Sequence, residues 1–362
     1  MEKQTHTFHY TKPFQLESGR ELPGFQLQYT TLGQLNAARN NVVWVCHALT
    51  GNADVTSWWN ELFTDDSAFN PKHSLVICAN MLGGCYGSTG PLSVNPETGK
   101  PFFHQFPPLT NRDVIRAFDL LRQALGLSKI HTVIGGSLGG QQALEWIIQQ
   151  PEVFEHAVLV ATNAVHSPWG IAFNEAQRLA IEADPSWKEN DSQAGSNGLK
   201  AARAIAILSY RQYETFEQTQ AEHTSEVTDQ FRAATYQRYQ GEKLVKRFNA
   251  FTYRLFSKMM DSHHVGRDRF SIRDALKQIK AKTLVVGVES DLLFPVSEQK
   301  LLAEGIPKAE LVILSSLYGH DGFLTEHKQL NHVLKNFYRK ENHKPKTSVH
   351  PADSAISKYA LW

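Results

Sequence analysis

The chain has 362 residues, 41% of them hydrophobic, which is enough for one large α/β domain with an insertion or for two smaller domains. Its 37 Lys and Arg residues against 36 Asp and Glu leave a formal charge of +1, so no global charge bias points to nucleic acid or an anionic membrane surface, and a small-molecule partner is expected. Residues 1–6 carry no apolar signal region, and no uninterrupted apolar run approaches the roughly 20 residues that span a bilayer. A cytoplasmic protein is therefore expected. Three cysteines make no disulfide framework. Cys46 and Cys78 sit in apolar runs and read as small buried hydrophobes, whereas Cys85 has no assigned chemistry.

In chain order, β-like runs at 26–31, 42–46, 74–79, 131–134 and 156–160 alternate with helical or loop segments. Such alternation predicts a mostly parallel sheet with crossover helices. From about 165 to 275 the pattern changes to polar and amphipathic helical segments, at 176–183, 199–210, 225–239 and 242–260. β-like runs return at 283–288 and 311–314, so the helical region interrupts one domain and does not follow it. This divides the chain into a discontinuous core (1–164 and 276–340), a helical lid (165–275) and a loosely ordered tail (341–362).

The run 130–134 leads directly into Gly135-Gly136-Ser137-Leu138-Gly139-Gly140 and then into a helical segment at 141–150. A G-x-S-x-G between strand and helix describes the nucleophile elbow of an α/β-hydrolase fold. A glycine-rich turn or a phosphate loop is the alternative. However, Gln141 stands where a P-loop needs lysine, and G-x-G-x-x-G cannot be registered here. A serine hydroxyl is a weak nucleophile, so Ser137 needs a histidine base and a carboxylate to orient it, in the chain order Ser, Asp or Glu, His. The acid should lie just past the strand at 283–288, which selects Asp291, with Glu289 as runner-up. The base should follow the strand at 311–314, which selects His320. The oxyanion hole needs two backbone N–H groups. Leu138 supplies one by position, and Leu49, in the loop after the strand at 42–46, is the candidate for the other. His47 reads as a brace for that loop. His263 and His264 have no metal-ligand spacing and are assigned to lid packing or the surface, and no metal is expected. His327 and His332 are placed on a solvated face of a late helix.

Several segments resemble the homoserine O-acetyltransferase family, the α/β-hydrolase-fold acyltransferases of methionine biosynthesis. They include His47-Ala48-Leu49-Thr50-Gly51, the glycine-rich stretch 82–91, Asn95-Pro96-Glu97-Thr98-Gly99-Lys100-Pro101 and the elbow with Gln142-Ala143-Leu144-Glu145-Trp146. Ile171-Ala172-Phe173-Asn174-Glu175, Asp261-Ser262-His263 and Tyr318-Gly319-His320-Asp321-Gly322-Phe323 continue the match, so the similarity runs from about 10 to 335. Two departures stand out. Leu138 replaces the family's usual methionine. Arg247-Phe248-Asn249-Ala250-Phe251 replaces Arg-Phe-Asp-Ala-Asn, which removes a carboxylate from the lid.

The resemblance implies transfer of an acetyl group from acetyl-CoA to the side-chain hydroxyl of L-homoserine through an acetyl-Ser137 intermediate. It implies no permanently bound cofactor, and a homodimer through lid helices such as the segment 242–260. It also implies that Arg178 binds the amino-acid carboxylate and Asp321 its ammonium. Without the family each would read as a surface helix charge. L-serine as acceptor, succinyl-CoA as donor, ester or thioester hydrolysis, and a non-catalytic binding role are the competing readings.

Overall fold

The computed structural model describes residues 2–342. The expected tail, except for residues 341 and 342 at the end of the last helix, lies outside the described residues.

Eight strands form one sheet: β1 (Gln4–Tyr10), β2 (Phe25–Leu32), β3 (Val42–Cys46), β4 (Leu75–Ala79), β5 (Ile130–Gly136), β6 (Phe154–Val160), β7 (Lys282–Val288) and β8 (Glu310–Leu314). Their spatial order is β1-β2-β4-β3-β5-β6-β7-β8. The pairs β1/β2 and β2/β4 are antiparallel, and the remaining pairs are parallel. This is the α/β-hydrolase arrangement, with β1 as a strand that the sequence analysis did not anticipate. β1 is half exposed along its length, so its Thr5, Thr7 and Phe8 leave only a weak alternation to read.

A strand covered on both faces reads as a continuous apolar run. In β3, Val42, Trp44 and Cys46 face one core, Val43 and Val45 face the other, and all five are buried. The first core holds α1 (Asn111–Ala124) and α2 (Leu138–Gln149), where Trp146 meets Trp44 edge-on at 5.0 Å. The second is filled by Trp59, Phe69, Leu330, Leu334 and Phe337.

The first five α-helices between β6 and β7 are α3 (Pro168–Glu182), α4 (Ser196–Tyr210), α5 (Tyr213–Gln220), α6 (Arg232–Val245) and α7 (Ala250–Asp261), and α8 (Ile272–Lys277) completes that stretch. Then come α9 (Val296–Gly305), α10 (Gly322–Thr325) and α11 (His327–Asn342). Where the chain leaves the core and returns, Val165 and His264 form an isolated antiparallel bridge. His166 N–H donates to His263 O at 3.0 Å, and Val265 N–H donates to Ala164 O at 3.0 Å. The segment expected as a helix at 225–239 starts only at Arg232, after Gln230 has turned the chain with φ 55°. The segment 242–260 is two helices and not one. Its break falls at 246–249, where the Asn249 side chain accepts from Thr252 N–H at 2.8 Å and caps α7.

Candidate active site

Ser137 sits between β5 and α2 with φ 57° and ψ −125°. A non-glycine residue in that region costs about 1–3 kcal/mol, and the surrounding backbone must hold it there. Ser137 N–H donates to Val160 O at 2.9 Å, and the Ser137 carbonyl accepts from Thr162 Oγ1 at 2.9 Å. The flanking glycines make the turn possible by close approach. A Cβ on Gly135 would collide with the Gly139 carbonyl, and one on Gly139 with the Cys46 carbonyl. Leu138 opens α2, so its N–H is one of the first-turn donors that the helix itself leaves without a partner.

Asp291 and His320 come to Ser137 from the ends of β7 and β8. His320 Nε2 lies 2.9 Å from Ser137 Oγ, and its Nδ1 lies 2.7 Å from Asp291 Oδ2. All three side chains are buried. The other oxygen of Asp291 accepts from the N–H groups of Leu293 and Phe294, each at 2.8 Å. The carboxylate is therefore fixed as an acceptor, which puts the His320 proton on Nδ1 and leaves Nε2 to accept from the serine hydroxyl. The imidazole stacks on Phe294 with ring centroids 5.0 Å apart and touches Phe323 and Tyr210. Glu289 is exposed, and its N–H extends the sheet to Leu314 O. It therefore ends the strand and does not reach the histidine.

Leu49 lies in a tight turn closed by Gly51 N–H to Ala48 O at 2.9 Å. Burial lowers the His47 imidazole to a pKa of about 4, and the neutral ring bonds at both ends. Its Nδ1 donates to Ala48 O at 2.9 Å, and its Nε2 accepts from Met81 N–H at 3.2 Å. From the helical insertion, Arg247 Nη1 donates to Thr50 O at 2.6 Å. The turn bearing Leu49 is thus held from below by a histidine and from above by an arginine.

Arg178 is brought to a different place. Its guanidinium pairs with Asp261 Oδ2 and Glu175 Oε2, each at 2.6 Å, and bonds to Ser257 Oγ at 3.2 Å, with the side chain only 5% exposed. Desolvation by burial is the largest effect on Asp261 and raises its pKa. The group belongs to a polar seam in which Asn174 joins Asp261 to His166, and Gln141 joins His166 to Asn163. His263 is buried in the same seam, where its Nε2 donates to Asn163 O at 3.1 Å. Asp321 lies next to His320 and pairs with Arg211 Nε at 3.0 Å.

Besides Arg211, a second cation stands near the triad, Arg203, which the sequence analysis did not single out. It stands over the Tyr210 ring at 5.4 Å, and that ring is 5.7 Å from the His320 ring. Both residues lie on α4 at a spacing of two helical turns, which is the signal that could have found them. The departures from the family pattern have structural roles. Leu138 is fully buried, and Phe251 packs among Trp187, His104 and Phe103.

An alpha/beta hydrolase fold family model matches residues 41–327. A homoserine O-acetyltransferase from Cyclobacterium marinum is 51% identical over 335 residues, covering 92% of this chain and 95% of that protein. This chain belongs to the homoserine O-acetyltransferase family. Two solved structures share its fold. A homoserine O-acetyltransferase from Bacillus anthracis has a TM-score of 0.86 at 23% identity, covering 92% of this chain and 97% of that one. An acetylester hydrolase from Corynebacterium glutamicum has 0.82 at 23% identity, covering 93% and 96%. Fold likeness alone does not separate transfer from hydrolysis in this family, and the sequence identity is what does so. Among the described residues no helix is long and apolar enough to cross a membrane.

Proposed function

We propose that this protein transfers the acetyl group of acetyl-CoA to L-homoserine in the cytoplasm, through an acetyl-serine at Ser137, for methionine biosynthesis. The observation that carries the chemistry is the hydrogen-bonded chain from Asp291 through His320 to Ser137 Oγ, and the acceptor rests on the relatives. Ser137 Oγ attacks the thioester carbonyl while its proton passes to His320 Nε2. The C–S bond then breaks, and the leaving thiolate takes that proton. In the second half the homoserine hydroxyl gives its proton to Nε2 and attacks the acetyl carbon, and Ser137 Oγ leaves with the proton restored. Leu49 and Leu138 N–H groups hold the oxyanion in both halves, and Asp291 stabilises the imidazolium.

Recognition of the amino acid needs a cation and an anion beside the triad. Arg203 is better placed than Arg178 for the carboxylate, because Arg178 is already neutralised by Asp261 and Glu175. Asp321 takes the ammonium, in exchange for part of its pairing with Arg211. The insertion at 165–275 serves as the cap over the site. Exposed Trp169, Leu179, Leu208 and Tyr213 on that cap support a homodimer formed through it.

The test combines intact mass with thiol release. Acetyl-CoA alone should add one acetyl group to the parent protein and none to Ser137→Ala, and L-homoserine should discharge it faster than L-serine or water. Discharge by water at the same rate with or without homoserine would make the protein a hydrolase, and preferential discharge by L-serine would reassign the acceptor.

A further inference from the structure

Next to the turn bearing Leu49 lies a cavity of about 430 Å³ that the proposed chemistry does not use. Four segments wall it: β2, with Gln26; the glycine-rich loop after β4, with Ser88 and Ser93; the loop between α3 and α4, with Ser192 and Gln193; and the break between α6 and α7, with Lys246 and Arg247. Its lining contains two cations, several hydroxyl and amide groups, and no carboxylate. Cys85, also in the wall, adds no negative charge, because burial pushes its thiol up to a pKa of about 11. Asn249 stands at the edge where the family more often has aspartate, so this chain lacks an acid there too.

Such a lining suits a polyanion rich in oxygen. Lysine offers a mobile point charge to phosphate, and arginine offers a planar set of donors. Arg247 also joins the cavity to the chemistry, because its Nη1 donates to Thr50 O at 2.6 Å and to Tyr86 Oη at 2.8 Å. The residue next to Thr50 is Leu49. An anion held by Arg247 and Lys246 would therefore be anchored to the same turn that offers an N–H to the acyl oxyanion.

We propose that this cavity receives the phosphate-bearing nucleotide end of the acyl-CoA donor, with Lys246 as its principal free cation and Arg247 as the link to the oxyanion turn. This rests on the acyl-CoA-dependent reading above. Lys246 is exposed and makes no contact with the triad, so its replacement leaves the chemical step intact.

The experiment measures steady-state kinetics of the full chain with three acetyl donors: acetyl-CoA, S-acetylpantetheine, which has the same thioester without phosphate, and p-nitrophenyl acetate. For Lys246→Glu, KM for acetyl-CoA should rise about tenfold with kcat unchanged, and Lys246→Ala should give a smaller rise in the same direction. KM for the other two donors should stay at the parent value, which also shows that the variant is folded. Adenosine 3′,5′-bisphosphate should compete with acetyl-CoA on the parent and lose potency on Lys246→Glu. An unchanged KM for acetyl-CoA, or an equal rise for acetyl-CoA and S-acetylpantetheine, would overturn the assignment while leaving the acyltransferase intact. Failure of acetyl-CoA to acetylate the parent at Ser137 would overturn the reading beneath it.

Discussion

At the scale of single residues, the two candidate arginines make opposite predictions. Arg178 shares a buried seam with Asp261 and Glu175, and truncating one partner of such a pair leaves a desolvated charge unpaired. Arg178→Gln should therefore lower the unfolding midpoint by the equivalent of about 3 kcal/mol, and the folded fraction should retain its KM for homoserine. Arg203→Gln should leave the midpoint close to the parent value and raise the homoserine KM about tenfold or more, as expected for a lost charge-assisted contact. Thermal unfolding and initial rates on both variants check this, and an exchange of the two phenotypes would return the carboxylate to Arg178. Ser137, Asp291 and His320 were legible because the order of strand, turn and helix fixes where each must stand. The surroundings of Arg178 were not legible, for a physical reason. Its partner Asp261 lies on another helix of the insertion, and nothing local in the sequence announces that pair.

At the scale of elements, the break between α6 and α7 carries much of the site's construction. Asn249 ends the break by capping α7, and the residues just before it supply Lys246 and Arg247. Asn249→Ala should cost about 1 kcal/mol of stability through the lost cap, whereas Asn249→Asp, an equally good capping residue, should be close to neutral. Denaturant midpoints on the two variants decide it, and equal losses would mean that the amide has another role. The pattern of 242–260 reads as one helix because its apolar spacing survives the interruption. The interruption rests on a single capping residue, and Asn is also tolerated inside helices. β1 escaped for the converse reason, since an edge strand exposed on one side need not be apolar.

At the scale of the whole molecule, three buried histidines tie stability to pH. Burial lowers His47 and His166 to about 4 and His263 to about 3, below the ordinary 6.5. The unfolded chain therefore binds more protons than the folded one between those values and 6.5. Stability is full above about pH 6.5 and falls as pH drops, by up to about 1.4 kcal/mol per pH unit for each histidine. Denaturant midpoints should be flat from pH 7 to 8 and decline from pH 6.5 to 5, and a flat profile through pH 5 would show that the three rings take up protons in the fold as readily as in the unfolded chain. The mostly parallel sheet and the inserted helices were legible from the alternation of runs. The seam that neutralises His166 and His263 was not, because it is assembled across the core and the insertion.

The bridge between Val165 and His264 bears on how such a molecule could arise and be rebuilt. A segment of about a hundred residues leaves and re-enters the core at adjacent points, so the sheet closes whatever lies between them. The fold is thereby modular. The inserted helices join the core at two fixed points, while the strands that aim the serine, aspartate and histidine stay in register.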